Sequence, residues 1–192
     1  MVGRDLEHRF PEHEPEIGDV LFEVSNWSVM HPMDHTRAVI KNANLNVRRG
    51  EIVGIAGLMG AGRTELARSI FGRSYGSRVE GRLVLDGKEL HLGSVPAAID
   101  AGIAYLTEDR KALGLFLDMT IRENIGMGVL HEDSLPGGLL NLRASRERAA
   151  KAIRSLGIRT LSPGVAAGSL SGGNQQKVLL ARLLETKPRV LL

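Results

Sequence analysis

The stretch Gly57–Thr64, read as GLMGAGRT, constrains this chain more than any other. It fits the phosphate-loop frame G-x-x-x-x-G-K-[ST] at every fixed position but one, where Arg63 replaces lysine. Its flanks suit the motif. Glu51–Ile55 (EIVGI) is a short apolar run that predicts a buried strand, and Glu65–Phe71 (ELARSIF) predicts a helix. Gly57, Gly60 and Gly62 let backbone N–H groups close round a phosphate without side-chain clashes. The helix that follows offers unpaired N–H donors and roughly half a positive charge at its start, which suits an anion. Thr64 offers a hydroxyl to magnesium. Arg63 brings a permanent charge, but its planar fork is not a compact ammonium. Phosphate binding is therefore expected to survive, and alignment of a transition state to suffer. The competing reading is a glycine-rich turn that merely joins strand to helix.

The rest of the composition narrows the class. A chain of 192 residues suits one large domain, and 43% hydrophobic residues suffice for a core. With no cysteine, a disulfide framework and a cysteine-based metal site are excluded. Basic and acidic residues number 25 and 22 and are interspersed, and aromatics make up 4%, so neither a basic stripe nor a base-stacking platform points to nucleic acid. No apolar run is long enough to span a bilayer, and the charged start MVGRDLEHRF is no secretory signal. Any membrane role must come through a partner.

Along the chain, residues 1–19 read as a charged, proline-containing linker or arm. Val20–Val24 is a predicted strand, Ser28–Arg37 a loop, and Leu45 and Val47 mark a half-exposed strand that turns at Arg49-Gly50. Gly72–Gly81 reads as a loop. Arg82–Leu92 reads as a hairpin with Asp86-Gly87 at its turn. Ser94 caps a short helix closed by Gly102, and Ile103–Leu106 is a core strand. At its end stands the charged cluster Thr107–Lys111 (TEDRK). Ligands in doubly wound folds bind beyond such strand ends, though a solvated loop explains the charges as well. Thr120-x-x-Glu123 is a capping box. Residues 131–142 form a loop around Pro136-Gly137-Gly138, and Arg143–Leu156 is a helix ended by Gly157. Leu170–Lys177 (LSGGNQQK) places Ser171 and two glycines ahead of a helix over Val178–Glu185. This is a second small-residue loop at a helix start, open to the alternative that Ser171 is an ordinary cap. Pro188 stops that helix, and Arg189–Leu192 opens a strand.

A phosphate loop, a helical stretch, LSGG before a helix and then an apolar strand resemble, from about Val20 onward, the nucleotide-binding domain of an ABC transporter. The resemblance implies a P-loop NTPase α/β fold with an antiparallel β subdomain and a helical subdomain at about 112–170. GLMGAGRTEL, TEDRK and LSGGNQQK together resemble the second of two fused nucleotide-binding domains in bacterial importers of the ribose, xylose and galactose type. MVGRD resembles the linker between the halves. Trp27–Pro32 (WSVMHP) looks more like xylose or multiple-sugar members.

By this resemblance, Gly57, Gly60, Ala61, Gly62, Arg63, Thr64 and Glu65 line the phosphates of ATP. Leu170, Ser171, Gly172, Gly173 and Asn174 contact the γ-phosphate of a nucleotide held mainly by a partner domain packed head to tail. Thr64 is the magnesium ligand. Glu108 stands where most members have glutamine, as candidate magnesium ligand and γ-phosphate sensor, although its charge is added near phosphates. No residue is a certain catalytic group, and no aromatic is convincing as an adenine platform: Trp27 is expected in strand packing, and His31 and His35 are guesses. The implied partners are membrane subunits and, indirectly, a sugar-binding protein. The implied place is the cytoplasmic face of the inner membrane. The strand opening at Arg189 resembles the one that delivers a magnesium aspartate and a glutamate base. Both fall beyond Leu192, so the chain is expected to be incomplete at that end, to bind ATP and barely hydrolyse it. Turnover by the purified chain on the order of one per second contradicts that expectation. The reading from another class is a non-catalytic nucleotide-binding module that shapes a dimer while its partner hydrolyses ATP. A soluble ABC protein acting on ribosomes or DNA is disfavoured by the charge pattern.

Overall fold

The computed structural model describes residues 15–192, which form two compact units. One comprises residues 15–63 and 76–91, the other residues 64–75 and 92–192. The reading of 1–19 as a linker falls mostly outside the described residues.

The first unit is an antiparallel sheet in the order β2-β1-β3-β4, built from β1 (Val20–Met30), β2 (Ala38–Arg48), β3 (Val79–Leu85) and β4 (Lys88–Leu90). Phe22, Val24, Trp27 and Val29 are buried along the central β1. Phe22 lies opposite Val47 and Leu85, and Val24 opposite Leu45 and Leu83, so the apolar side chains share one face. The alternation of β2 follows the sequence expectation, with Leu45 and Val47 half-buried between exposed neighbours. The hairpin turn is also as expected. Asp86 and Gly87 take φ of +53° and +74°, the two left-handed residues of a type I′ turn.

One expectation fails in part here. Ser28, Val29 and Met30 belong to β1 rather than to a loop, because they pair with β3 on one side and β2 on the other. A strand register with two neighbours outweighs the turn preference of the serine. A larger correction concerns Glu51–Ile55. This run is neither a strand nor buried: Ile52 is 93% exposed and Ile55 52%. A parallel strand exists only where neighbours take up its N–H and C=O groups. No ladder among the described residues includes 51–55.

The second unit is mainly helical. It holds α1 (Arg63–Ile70, whose first residue groups with the other unit), α2 (Val95–Asp100), α3 (Ile121–Gly126), α4 (Leu142–Ser155) and α5 (Gly172–Glu185). A short parallel pair, β5 (Ile103–Ala104) and β6 (Val190–Leu191), accompanies them. Its core gathers Leu115, Ile121 and Ile125 with Ala149 and Ala152 of α4 and Val178, Leu179 and Ala181 of α5. The alanines let α4 approach closely. Local signals placed these helices well. Ser94 caps α2, Thr120 and Glu123 form a reciprocal capping box on α3, and Gly157 leaves α4 at φ +57°. The strand expected over Ile103–Leu106 is shorter: Ile103 and Ala104 are buried and laddered, whereas Leu106 is exposed and adds one bond to the Leu192 carbonyl. No helix among the described residues is long and apolar enough to cross a membrane.

Candidate functional site

In the first unit, Gly57–Gly62 form an exposed loop in which only Gly62 is buried. Leu58 and Ala61 close a turn, with the Ala61 N–H on the Leu58 carbonyl at 3.0 Å. The three glycines serve different needs. Gly60 holds φ +81° with nothing near its missing side chain, so its conformation alone requires glycine. Gly62 holds φ +85°, and a Cβ there would lie 2.9 Å from Ile40 Cδ1 of β2. A Cβ on Gly57 would meet Ala61 Cβ at 2.9 Å. The backbone can therefore fold tightly in a stretch whose residues, Gly62 apart, are exposed. Arg63 is exposed at the first position of α1, and Glu65 lies in its first turn.

The second unit brings two of the candidate residues together. Thr64 Oγ1 donates to Glu108 Oε1 at 3.0 Å, and the Tyr105 hydroxyl donates to Glu108 Oε2 at 2.9 Å. The Glu108 carboxyl sits below its ordinary pKa. Its own backbone N–H does most, then the Tyr105 hydroxyl, with Thr64 and the Arg68 charge adding to it. It is thus an anion at neutral pH. The Tyr105 phenol is pushed up, first by burial and then by Glu108, and so keeps its proton. Its ring lies 5.8 Å from that of Phe71, tilted by 36°.

The rest of the TEDRK cluster divides by role. Thr107 Oγ1 accepts the Asp109 N–H, and Asp109 Oδ1 accepts those of Lys111 and Ala112, capping a π-helical turn over Arg110–Gly114. Arg110 turns the other way, its Nε donating to Gln175 Oε1 at 3.1 Å.

Gln175 links this cluster to the LSGG segment. It is buried, and its Nε2 donates to the Leu170 carbonyl at 3.1 Å. Two expectations need correction here. The helix begins at Gly172, so Gly172 and Gly173 lie inside its first turn rather than ahead of it. At 172 a Cβ would sit 2.9 Å from Arg110 Nη2, so a larger residue there displaces the tip of that flexible side chain. Nor is Ser171 an ordinary side-chain cap: its Oγ accepts from Asn174 Nδ2 at 2.9 Å and takes no helical N–H. Asn174 Oδ1 accepts the Arg159 N–H at 2.9 Å, which fixes the amide.

Trp27 is buried in β1, as its strand position suggested, and His31 Nδ1 accepts the N–H groups of Met33 and Asp34 within a turn. Tyr105, Arg110 and Gln175 were not singled out from the sequence. Arg110 and Gln175 lay inside TEDRK and LSGGNQQK, but nothing local told their direction.

The residues fit a hydrated magnesium ion. That ion takes oxygen ligands from one or two carboxylates or hydroxyls, with phosphates and waters completing its shell. Thr64 and Glu108 supply one of each. Among the described residues there is no cluster of three or more His, Asp or Glu that would make an all-protein cage.

Residues 40–192 match the family model described as ABC transporter. The whole chain aligns at 47% identity with the L-arabinose transport ATP-binding protein AraG of Geobacillus stearothermophilus, covering 37% of it. It aligns over its whole length at 50% with the ribose import ATP-binding protein RbsA 2 of Burkholderia pseudomallei, covering 36%. It likewise aligns at 45% with the xylose import ATP-binding protein XylG of Thermoanaerobacter pseudethanolicus, covering 38%. The chain thus spans little more than a third of these relatives. Among solved structures, the ATP-binding cassette MJ1267 of an ABC transporter superposes with a TM-score of 0.71 at 20% identity, over 91% of this chain and 68% of that one. The cassette MJ0796, described as a post-hydrolysis dimer bound to ADP and Pi, gives 0.69 at 21%, over 89% and 72%.

Proposed function

The chain belongs to the ABC transporter family, and from that premise we propose that it is the ATP-binding part of an importer for a monosaccharide. The observation that carries this reading is its end-to-end alignment, at 45–50% identity, with proteins named for arabinose, ribose and xylose transport. The motif set GLMGAGRTEL, TEDRK and LSGGNQQK supports the narrower reading as the second of two fused nucleotide-binding domains. The helical stretch at about 112–170 is then a subdomain that bears on the membrane subunits. A periplasmic or surface sugar-binding protein completes the system, which places this chain against the cytoplasmic face of the membrane.

In this reading Gly57, Gly60, Ala61 and Gly62 line the phosphates of ATP. Arg63 adds a fixed cation, and Glu65 stands in the helical turn that follows. Leu170, Ser171, Gly172, Gly173 and Asn174 face the γ-phosphate of the nucleotide on a partner domain. The pattern of the α5 start supports that role: Ser171, Asn174 and Gln175 are tied to one another or to neighbouring backbone, so the loop is ordered before any ligand arrives. Thr64 and Glu108 hold magnesium, which neutralises phosphate charge when bound. Glu108 is held as an anion and so is ready to ligate.

Uptake of labelled L-arabinose, ribose and xylose tests the proposal in cells lacking the parent gene and in cells with it restored. Loss and recovery for one sugar is expected, together with co-purification of a polytopic membrane subunit. Normal uptake of every monosaccharide tried, with no membrane subunit recovered, sinks it.

A further inference from the structure

Glu108 is exposed on the surface, yet both of its oxygens are engaged. A free glutamate samples many rotamers, and fixing it costs side-chain entropy. The hydroxyl of Tyr105 reaches Oε2 while that of Thr64 reaches Oε1, so the carboxyl plane is set from two sides. Tyr105 suits this task. It has two side-chain torsions, is half-buried, and has its ring seated against Phe71. A carboxylate accepts on both oxygens and has about four lone-pair positions, so two hydroxyls leave room for a cation. An amide at 108 has one accepting oxygen and a donating NH2, so it would bring no negative charge and fewer acceptor positions to a cation.

We infer that Tyr105 is a positioning residue: its hydroxyl holds the Glu108 carboxylate in the orientation that, with Thr64, receives the divalent cation of the nucleotide. This rests on the metal role proposed above for Thr64 and Glu108. Hydrogen-bond partners of metal ligands typically govern metal affinity by about 10- to 100-fold. The same range is expected here.

The test is nucleotide binding by the 192-residue chain, measured calorimetrically with ATP across a magnesium titration and again in EDTA. Tyr105→Phe keeps the ring against Phe71 and removes one oxygen. It is expected to raise the magnesium concentration for half-maximal enhancement by about 10- to 100-fold, with affinity in EDTA unchanged. In a Glu108→Ala background the same substitution should shift the midpoint no further. An unchanged midpoint in Tyr105→Phe overturns the inference while leaving the proposed function standing. Equal loss of affinity with and without magnesium also overturns it, since that marks a role in folding alone. If the unmodified chain binds no ATP under either condition, the ligand reading itself fails and the inference falls with it.

Discussion

Gly72 and Gly87 hold similar positive φ, +62° and +74°, yet their surroundings differ. A Cβ on Gly87 meets nothing within 4 Å. Gly87→Ala should therefore cost only the left-handed backbone penalty, about 1–2 kcal/mol. A Cβ on Gly72 would lie 2.3 Å from the Ser94 carbonyl carbon and oxygen and 2.4 Å from the Val95 nitrogen, all backbone atoms at the start of α2. Gly72→Ala should cost clearly more, since the end of α1 and the cap of α2 must part. Urea unfolding of the two variants checks the order, and equal losses would show that the crowding is relieved without cost. Arg63 acts through chemistry rather than shape. A charge-assisted hydrogen bond is worth about 1.5–3 kcal/mol, so Arg63→Ala should weaken ATP binding by roughly 10- to 100-fold. Binding that is unaffected would remove Arg63 from the phosphate site. The sequence alone marked Arg63, and gave Gly72 only as the start of a loop. It could not rank Gly72 against Gly87, because the atoms that crowd Gly72 come from a segment more than twenty residues on.

Between elements, α3 shows what a helix start is worth. The Thr120 side chain accepts the Glu123 N–H at 3.2 Å, and Glu123 Oε2 accepts the Thr120 N–H at 2.8 Å. Thr120→Ala removes the hydroxyl half of the box, leaves the backbone N–H of residue 120 free to bond Glu123, and should cost about 1 kcal/mol. The Glu123 carboxyl is held below its ordinary value, chiefly by the Thr120 hydroxyl and then by its backbone N–H. A lowered folded pKa means stability present above the ordinary glutamate value near 4.3 and lost as pH falls through the folded value. Thr120→Ala should thus lose part of that acid-side slope, which melting curves between pH 3 and 6 would reveal. An unchanged slope would refute the link. The box was legible because its partners are three residues apart. Asn124, one residue further, was not. It is fully buried, donating to the carbonyls of Phe116, Met119 and Thr120 and accepting the Phe116 N–H at 2.9 Å. Sequence pattern marks it only as a polar residue on a short helix. The strand expected at Glu51–Ile55 failed for the converse reason: a local apolar run is read easily, but the ladder that would make it a strand is not written in it. β1 ran longer than expected because β2 and β3 supply what its own serines do not.

Across the second unit as a whole, one arginine ties together pieces far apart in sequence. Arg148 of α4 reaches Asp133 at 2.9 Å, Glu132 at 3.3 Å and Glu185 of α5 at 2.9 Å. Its guanidinium is held more firmly protonated than usual, first by the hydrogen bond to Asp133 and then by that to Glu185, against the cost of burial. The loop of residues 131–134 has few apolar anchors, and Asp133, 3% exposed, is buried through this contact. Motif reading found the charged helix and the loop but not the network, since three carboxylates converging on one cation is a property of the packed unit. Removing a single partner of a buried pair costs about 3–5 kcal/mol, because a charge is left without compensation. Arg148→Ala should fall in that range by denaturant unfolding. Asp133→Asn should cost less, since the amide oxygen still accepts from Arg148 and no lone anion remains. Replacing both together, Arg148→Met with Asp133→Leu, should recover much of the stability lost by Arg148→Ala, as apolar replacement of a buried pair often does. Hydrogen exchange separates stability from order. If the network holds the loop in place, amides of residues 131–134 should exchange faster in the double variant even where global stability is restored. If they remain as protected as in the unaltered chain, the loop is held by its backbone bonds, such as that from the Asn141 N–H to the Asp133 carbonyl at 2.7 Å, and the ion network only adds stability.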